Sequence, residues 1–125
     1  MTSDASPVEN YFESLKNILS TNPIVIGFTV KRERVGSSEG LIQISVQLVK
    51  AFLLDIFEFY NMDNGVTGYR YQVMTNTGDT VLRWDNASHH PEISSYPHHV
   101  HRSDGIHESK QPTILQILDE LLEYI

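Results

Sequence analysis

From Ile24 to Asn86 the chain repeats one pattern: runs with an apolar residue at every second position, broken by short turn segments. Alternation of period two puts those residues on one side of an extended backbone, so each run reads as a strand with one face to bury. In IVIGFTVKRER, Ile24, Ile26, Phe28 and Val30 share a face. VGSSEG, residues 35–40, is a turn. In GLIQISVQLV, Ile42, Ile44, Val46 and Leu48 face the core, while Gln43, Ser45 and Gln47 face out. AFLLDIFEFYNM is a third strand in which Leu53, Asp55, Phe57 and Glu58 alternate poorly, pointing to a bulge or to burial on both sides. YRYQVMTNTGDTVLRWDN reads as a hairpin across Thr77-Gly78. A two-residue turn there sets Val73 opposite Leu82, Tyr71 opposite Trp84, Gln72 opposite Arg83 and Arg70 opposite Asp85. Tyr69, Tyr71, Val73, Leu82 and Trp84 then make a core face, and Arg70, Gln72, Arg83 and Asp85 lie on the other.

Helical signals flank these strands. Ser6 can cap, Pro7 suits a first turn, Glu9 completes a capping box, and Val8, Phe12, Leu15 and Leu19 recur at helical spacing. Asn22-Pro23 stops that helix, predicted over residues 7–20. A second helix is predicted over 112–125, starting at Pro112, with Ile114, Ile117, Leu118, Leu121 and Ile125 on its apolar face. The expected fold is α+β: a meander sheet of about five antiparallel strands over 24–86, with both helices packed on one face. At 125 residues the chain suits one domain spanning 1–125. Residues 87–110 are left as a long histidine-rich loop of proline-rich bends or short strands, and a loop of that length points to function.

There are no cysteines, so disulfides and thiolate metal sites are excluded. No apolar run is long enough to span a membrane, and MTSDASPVEN does not read as a signal peptide, so a cytoplasmic protein is expected. A net charge of −7 with neutral histidines disfavours binding nucleic acid by bulk electrostatics, though not a local basic site. Lys31, Arg32 and Arg34 cluster, and Arg83, Arg102 and Lys110 flank the histidines. Protonating the histidines would bring the charge near neutral, so anion binding should strengthen as pH falls through roughly 6.5.

Five of the six histidines lie within RWDNASHHPEISSYPHHVHR, residues 83–102, and His107 follows. Zinc would need three or four ligands. If a metal binds, His98, His99 and His101 are the expected ligands, with Asp85, His89 and Asp104 in reserve, but no helical metal motif is present and no cofactor is expected. Metal-free RNA cleavage needs a base for the 2′-hydroxyl, an acid for the leaving 5′-oxygen and a cation at phosphorus. Histidine suits the first two roles and arginine the third. Arg83, Asp85, His89, His90, His98, His99 and His101 are therefore the candidate catalytic residues. Asp85 would orient a histidine or the arginine, and Arg70, Asn86, Tyr96 and Arg102 are candidates for substrate binding, Tyr96 as a stacking face. For any single histidine a structural role is the simpler reading; the density beside an arginine and an aspartate on one strand face argues against that reading for the whole group.

The segment YRYQVMTNTGDTVLRWDNASHHPEISSYPHHVHR resembles the TumE family of toxin components, with its Y-x-Y, glycine turn, R-x-DNA-x-HHP and F-P-H-H-x-H. The matching positions are Tyr69, Tyr71, Gly78, Arg83, Asp85, Asn86, His89, His90, Pro91, Pro97, His98, His99 and His101; Tyr96 stands where the family often has Phe. EGLIQISVQLVKAFLLDIFEFY, with Glu58 and Tyr60, and ESKQPTILQILDELLEYI resemble the flanking parts, so the likeness covers about residues 24–125. The resemblance implies growth arrest as the output and a cognate helix-turn-helix antitoxin as partner. Cleavage of RNA follows by analogy with other small α+β toxins, many of which are basic where this chain is acidic. A non-catalytic module binding nucleic acid or a partner, and a metal-dependent nuclease or hydrolase, stay open beside it, as does a homodimer through sheet edges.

Overall fold

A computed structural model describes residues 5–124. Residues 1–4 and Ile125, which belong to the expectations for the N-terminus and the last helix, lie outside that range. The order is α1 (Pro7–Thr21), β1 (Val25–Val35), β2 (Glu39–Leu48), β3 (Leu53–Asn61), β4 (Gly65–Met74), β5 (Thr80–Asp85), β6 (His99–Arg102), β7 (Gly105–Glu108) and α2 (Ile114–Leu121). The strands form one antiparallel sheet in chain order. The fold is α+β as expected, but the sheet has seven strands rather than five, because the end of the histidine segment is itself a hairpin. In His99-Val100-His101, Val100 enters the core while both imidazoles take the opposite face, so histidines stand where a strand would otherwise show solvent-facing polar residues.

Alternation builds the core face. Rows run across the sheet as Val46–Leu54–Val73–Leu82 and Ile44–Ile56–Tyr71–Trp84–Val100. Helix α1 lies over β1 and β2 and buries Val8, Phe12, Leu15 and Leu19. Its Ser6 Oγ accepts the Glu9 N–H at 3.1 Å. Gly40 permits the close approach, since a Cβ there would stand 2.8 Å from Val8 Cγ1. Helix α2 starts two residues later than Pro112, because Thr113 and Gln116 form a reciprocal capping box that makes Thr113 the cap. It buries Ile114, Ile117, Leu118 and Leu121, and Arg102 of β6 donates to Glu120 of α2 at 3.2 Å.

Two details depart from simple alternation. Ile26 does not join the core; it is 70% exposed, because a bulge between Val25 and Gly27 makes it the extra residue. The β4–β5 turn is longer than two residues: Thr75 N–H donates to Asp79 O, and Gly78 takes φ +91. The strand pairings expected for the shorter turn are nonetheless present, from Val73–Leu82 to Arg70–Asp85. A register shift next to Met74–Thr80 makes Val81 the extra residue and restores the parity.

In β3 both faces are used. Leu54, Ile56 and Glu58 point to the core, and Phe57 and Phe59 to the uncovered face. Glu58 is buried beneath the stacked rings of Tyr11 and Tyr60, and accepts hydrogen bonds from the Tyr11 and Tyr71 hydroxyls. Burial raises its carboxyl above the usual range despite those donors, and burial also raises both tyrosines. A cleft of about 580 Å³ opens above this group between the two helices, on the side of the sheet away from His99 and His101.

Candidate functional site

The uncovered face owes its chemistry to β5 and β6. Their register sets Asp85 beside His99 and Arg83 beside His101, while Trp84 and Val100 between them go to the core. All four polar side chains therefore project to the same side. Asp85 is only 6% exposed, and its carboxylate is saturated with donors. Oδ1 accepts from His99 Nε2 at 2.7 Å and from the Ala87 N–H at 3.1 Å. Oδ2 accepts from Arg83 Nε at 3.1 Å and lies 3.6 Å from His101 Nε2.

His99, 2% exposed, has its other nitrogen, Nδ1, 2.9 Å from the Pro97 carbonyl. Both ring nitrogens therefore face oxygen atoms, the Asp85 carboxylate and the Pro97 carbonyl. His101 is different. Its Nε2 lies 3.0 Å from Arg83 Nη2, and a guanidinium only donates, so Nε2 accepts and the ring is neutral with its proton on Nδ1. Burial first, and then the charge of Arg83, hold His101 below the ordinary histidine range. Arg83→Gln removes the second cause while keeping a side chain that can donate. The His101 pKa, followed by NMR of its ring protons, should therefore rise relative to wild type; an unchanged or lower value would show that Arg83 does not set it.

The loop between β5 and β6 adds His90. Its ring meets those of His99 and His101 edge to face, at 5.0 and 5.8 Å between centroids, and its Nδ1 lies 3.1 Å from Glu92 Oε1. The structure thus gathers Arg83, Asp85, His90, His99 and His101. Of the other candidates, Arg70, Asn86 and His89 line a groove with Arg83 and Asp85, and the rest lie apart from the cluster. His98 follows the parity of Val100 to the opposite side, where its Nδ1 lies 2.8 Å from the Tyr69 hydroxyl. Of the expected metal set, His99 and His101 share the uncovered face, while His98, just before β6, turns toward Tyr69. Asp104 sits in the β6–β7 turn and pairs with His107 at 2.6 Å. Arg102 is engaged by Glu120. Asn86 ties β5 to β4 by accepting from Tyr69 N–H and donating to Thr67 O. Tyr96 is exposed on the loop.

A groove of about 390 Å³ adjoins the cluster, lined by Phe57, Phe59, Gly68, Arg70, Arg83 and His89 among others. Phe57 and Phe59 are residues that the sequence reading did not select. Their signal was the poor alternation of β3, since an uncovered face carrying two aromatics looks like a second core face. Phe57 and Phe59 pack edge to face, and the guanidinium groups of Arg32 and Arg70 lie 5.9 and 5.8 Å from the Phe57 ring centroid. By register Arg32, Arg34, Arg70 and Arg83 share this face with Glu39, Asp55, Asp85 and Glu108, and Arg70 pairs with Asp55 at 3.6 Å. An acidic chain thus gathers four of its arginines and two phenylalanines on one face.

Fold and cluster together define a small meander-sheet protein with acid–base groups on its uncovered face. The family model described as Toxin TumE matches residues 15–125, and the chain belongs to that family. It is thus of the toxin class, which implies an antitoxin partner. Comparison with curated proteins and with solved structures gives no match. Among the described residues no helix is long and apolar enough to cross a membrane.

Proposed function

We propose that this toxin arrests growth by cleaving RNA on the uncovered sheet face, and that a helix-turn-helix antitoxin neutralises it. The observation that carries the reading is the Arg83–His101 contact, where a neutral imidazole turns its lone pair toward a guanidinium. A phosphodiester drawn to Arg83 takes the guanidinium away from Nε2 and frees that lone pair next to the substrate. His101 Nε2 then removes the 2′-hydroxyl proton, and the 2′-oxygen attacks phosphorus. The bond from phosphorus to the 5′-oxygen breaks as His90, in its protonated form, gives that oxygen a proton. The products are a 2′,3′-cyclic phosphate and a 5′-hydroxyl. The His99–Asp85 pair acts as a positioning unit beneath, holding Arg83 through Asp85 Oδ2. Phe57 and Phe59 offer stacking faces for bases, with Arg32 and Arg70 near the backbone.

Attraction for a phosphate depends on charge within about 10 Å at moderate salt, not on the total, so the arginines beside the groove can act in an acidic chain. Incubating the protein with single-stranded RNA in EDTA tests the reading. Cleavage leaving 2′,3′-cyclic phosphate and 5′-hydroxyl ends is expected. Absence of cleavage by a protein that still arrests growth would remove RNA as the target, and 3′-hydroxyl ends would remove this mechanism.

A further inference from the structure

We propose that His90, His99 and His101 form a binding site for a zinc-class divalent cation, with Asp85 as its fourth ligand. One ring nitrogen from each of the three histidines lies within 4.8 Å of the others. Tetrahedral zinc with bonds of about 2.0–2.1 Å holds its ligand atoms about 3.3 Å apart, so small side-chain rotations close the site. The rings already meet edge to face, at interplanar angles of 69° to 73°, which turns ring edges rather than faces inward.

A second set of contacts lies behind the rings. A histidine that binds metal through one nitrogen generally donates the other N–H to a carboxylate or a backbone carbonyl, which fixes its tautomer and its aim. Two of the three have that arrangement: His99 Nδ1 faces the Pro97 carbonyl at 2.9 Å, and His90 Nδ1 faces Glu92 at 3.1 Å. Each is left with Nε2 for the ion. For His99 that nitrogen now addresses Asp85, so an ion there replaces the proton between them and keeps the carboxylate as a ligand. His101 Nε2 must part from Arg83, whose side chain is 37% exposed and borders the groove into which it can turn. Imidazole nitrogens with one carboxylate favour zinc, nickel or copper over magnesium.

The site's existence is independent of the cleavage mechanism, but its effect rests on that reading. An ion on His101 Nε2 occupies the lone pair that would accept the substrate proton, so a bound ion switches cleavage off. The experiment has two arms. In the first, Zn²⁺ is titrated into the full chain without RNA, by calorimetry and by NMR of the histidine rings. One equivalent is expected, weakened roughly tenfold or more in His101→Ala and His90→Ala and about tenfold in Glu92→Ala, which loses the outer partner. His107→Ala should bind as wild type, since His107 and Asp104 form a separate surface pair. No saturable binding, or binding unchanged in His90→Ala and His101→Ala, overturns the site. In the second arm, one equivalent of Zn²⁺ is added to the RNA reaction. Loss of turnover supports the switch. Binding that leaves turnover unchanged or raises it keeps the site but overturns both the switch and the metal-free mechanism.

Discussion

Asp85→Ala should destabilise the protein by about 3 kcal/mol or more at neutral pH, the scale seen when one partner of a buried ion pair is removed. Asp85 accepts from His99, Ala87 and Arg83, and His99 is 2% exposed with its other nitrogen committed to Pro97. Without the carboxylate, the buried His99 loses the partner of Nε2, and Arg83 loses its counter-ion. For a domain whose whole stability is about 5–15 kcal/mol, that is a large fraction. Asp85→Asn keeps the shape and one acceptor but turns an amide N–H₂ toward Arg83 or His99, both donors. It should therefore fall between wild type and Asp85→Ala. Urea unfolding of the three proteins measures this, and a cost below about 1 kcal/mol for Asp85→Ala, typical of exposed pairs, would show that the pair is not the keystone of the β5–β6 junction.

The second large effect falls on turnover rather than stability. His101→Ala should lower kcat for RNA cleavage by about 10²–10⁴-fold, the usual contribution of a positioned acid–base group, with little change in KM. His101 lies between the exposed Arg83 and the buried Asp85 but carries neither's structural load, so the variant should fold and unfold almost as wild type. His98→Ala is the matched control: it removes a histidine from the same segment, but one bonded to Tyr69 on the opposite side, and kcat should hold. Equal losses in the two variants would mean that the segment acts through its fold and not through His101. In cells the same contrast reads as growth, with His101→Ala tolerated and His98→Ala still arresting.

The sequence made some of this geometry readable, for a definite reason. Arg83 and Asp85 were placed together because Leu82 and Trp84 alternate with them, and a hydrophobic parity survives a wrong turn length when a bulge compensates. The same logic was available for the histidines. Val100, as the lone apolar residue of HVHR, marks His99 and His101 as one face and His98 as the other, but four residues make too short a run to read as a strand when they follow a loop. What alternation could not supply was the pairing of β6 with β5, which depends on how the chain between them turns back. His90 reaches the cluster from that turn, and no periodicity announces it. Ile26 failed in the opposite way: a clean pattern predicted burial, and a single inserted residue in the ladder moved it into solvent.

Strand order has a consequence for how such a protein comes into being. Each strand pairs with its neighbour in sequence, so the sheet can grow from one end as the chain leaves the ribosome, with no early strand waiting for a distant mate. The last additions before α2 are β6 and β7, and β6 carries His99 and His101. A chain that stops after β5 holds Arg83 and Asp85 without the imidazoles they address. On the proposed mechanism the site is completed only near the end of synthesis, and an interrupted product should not cleave RNA.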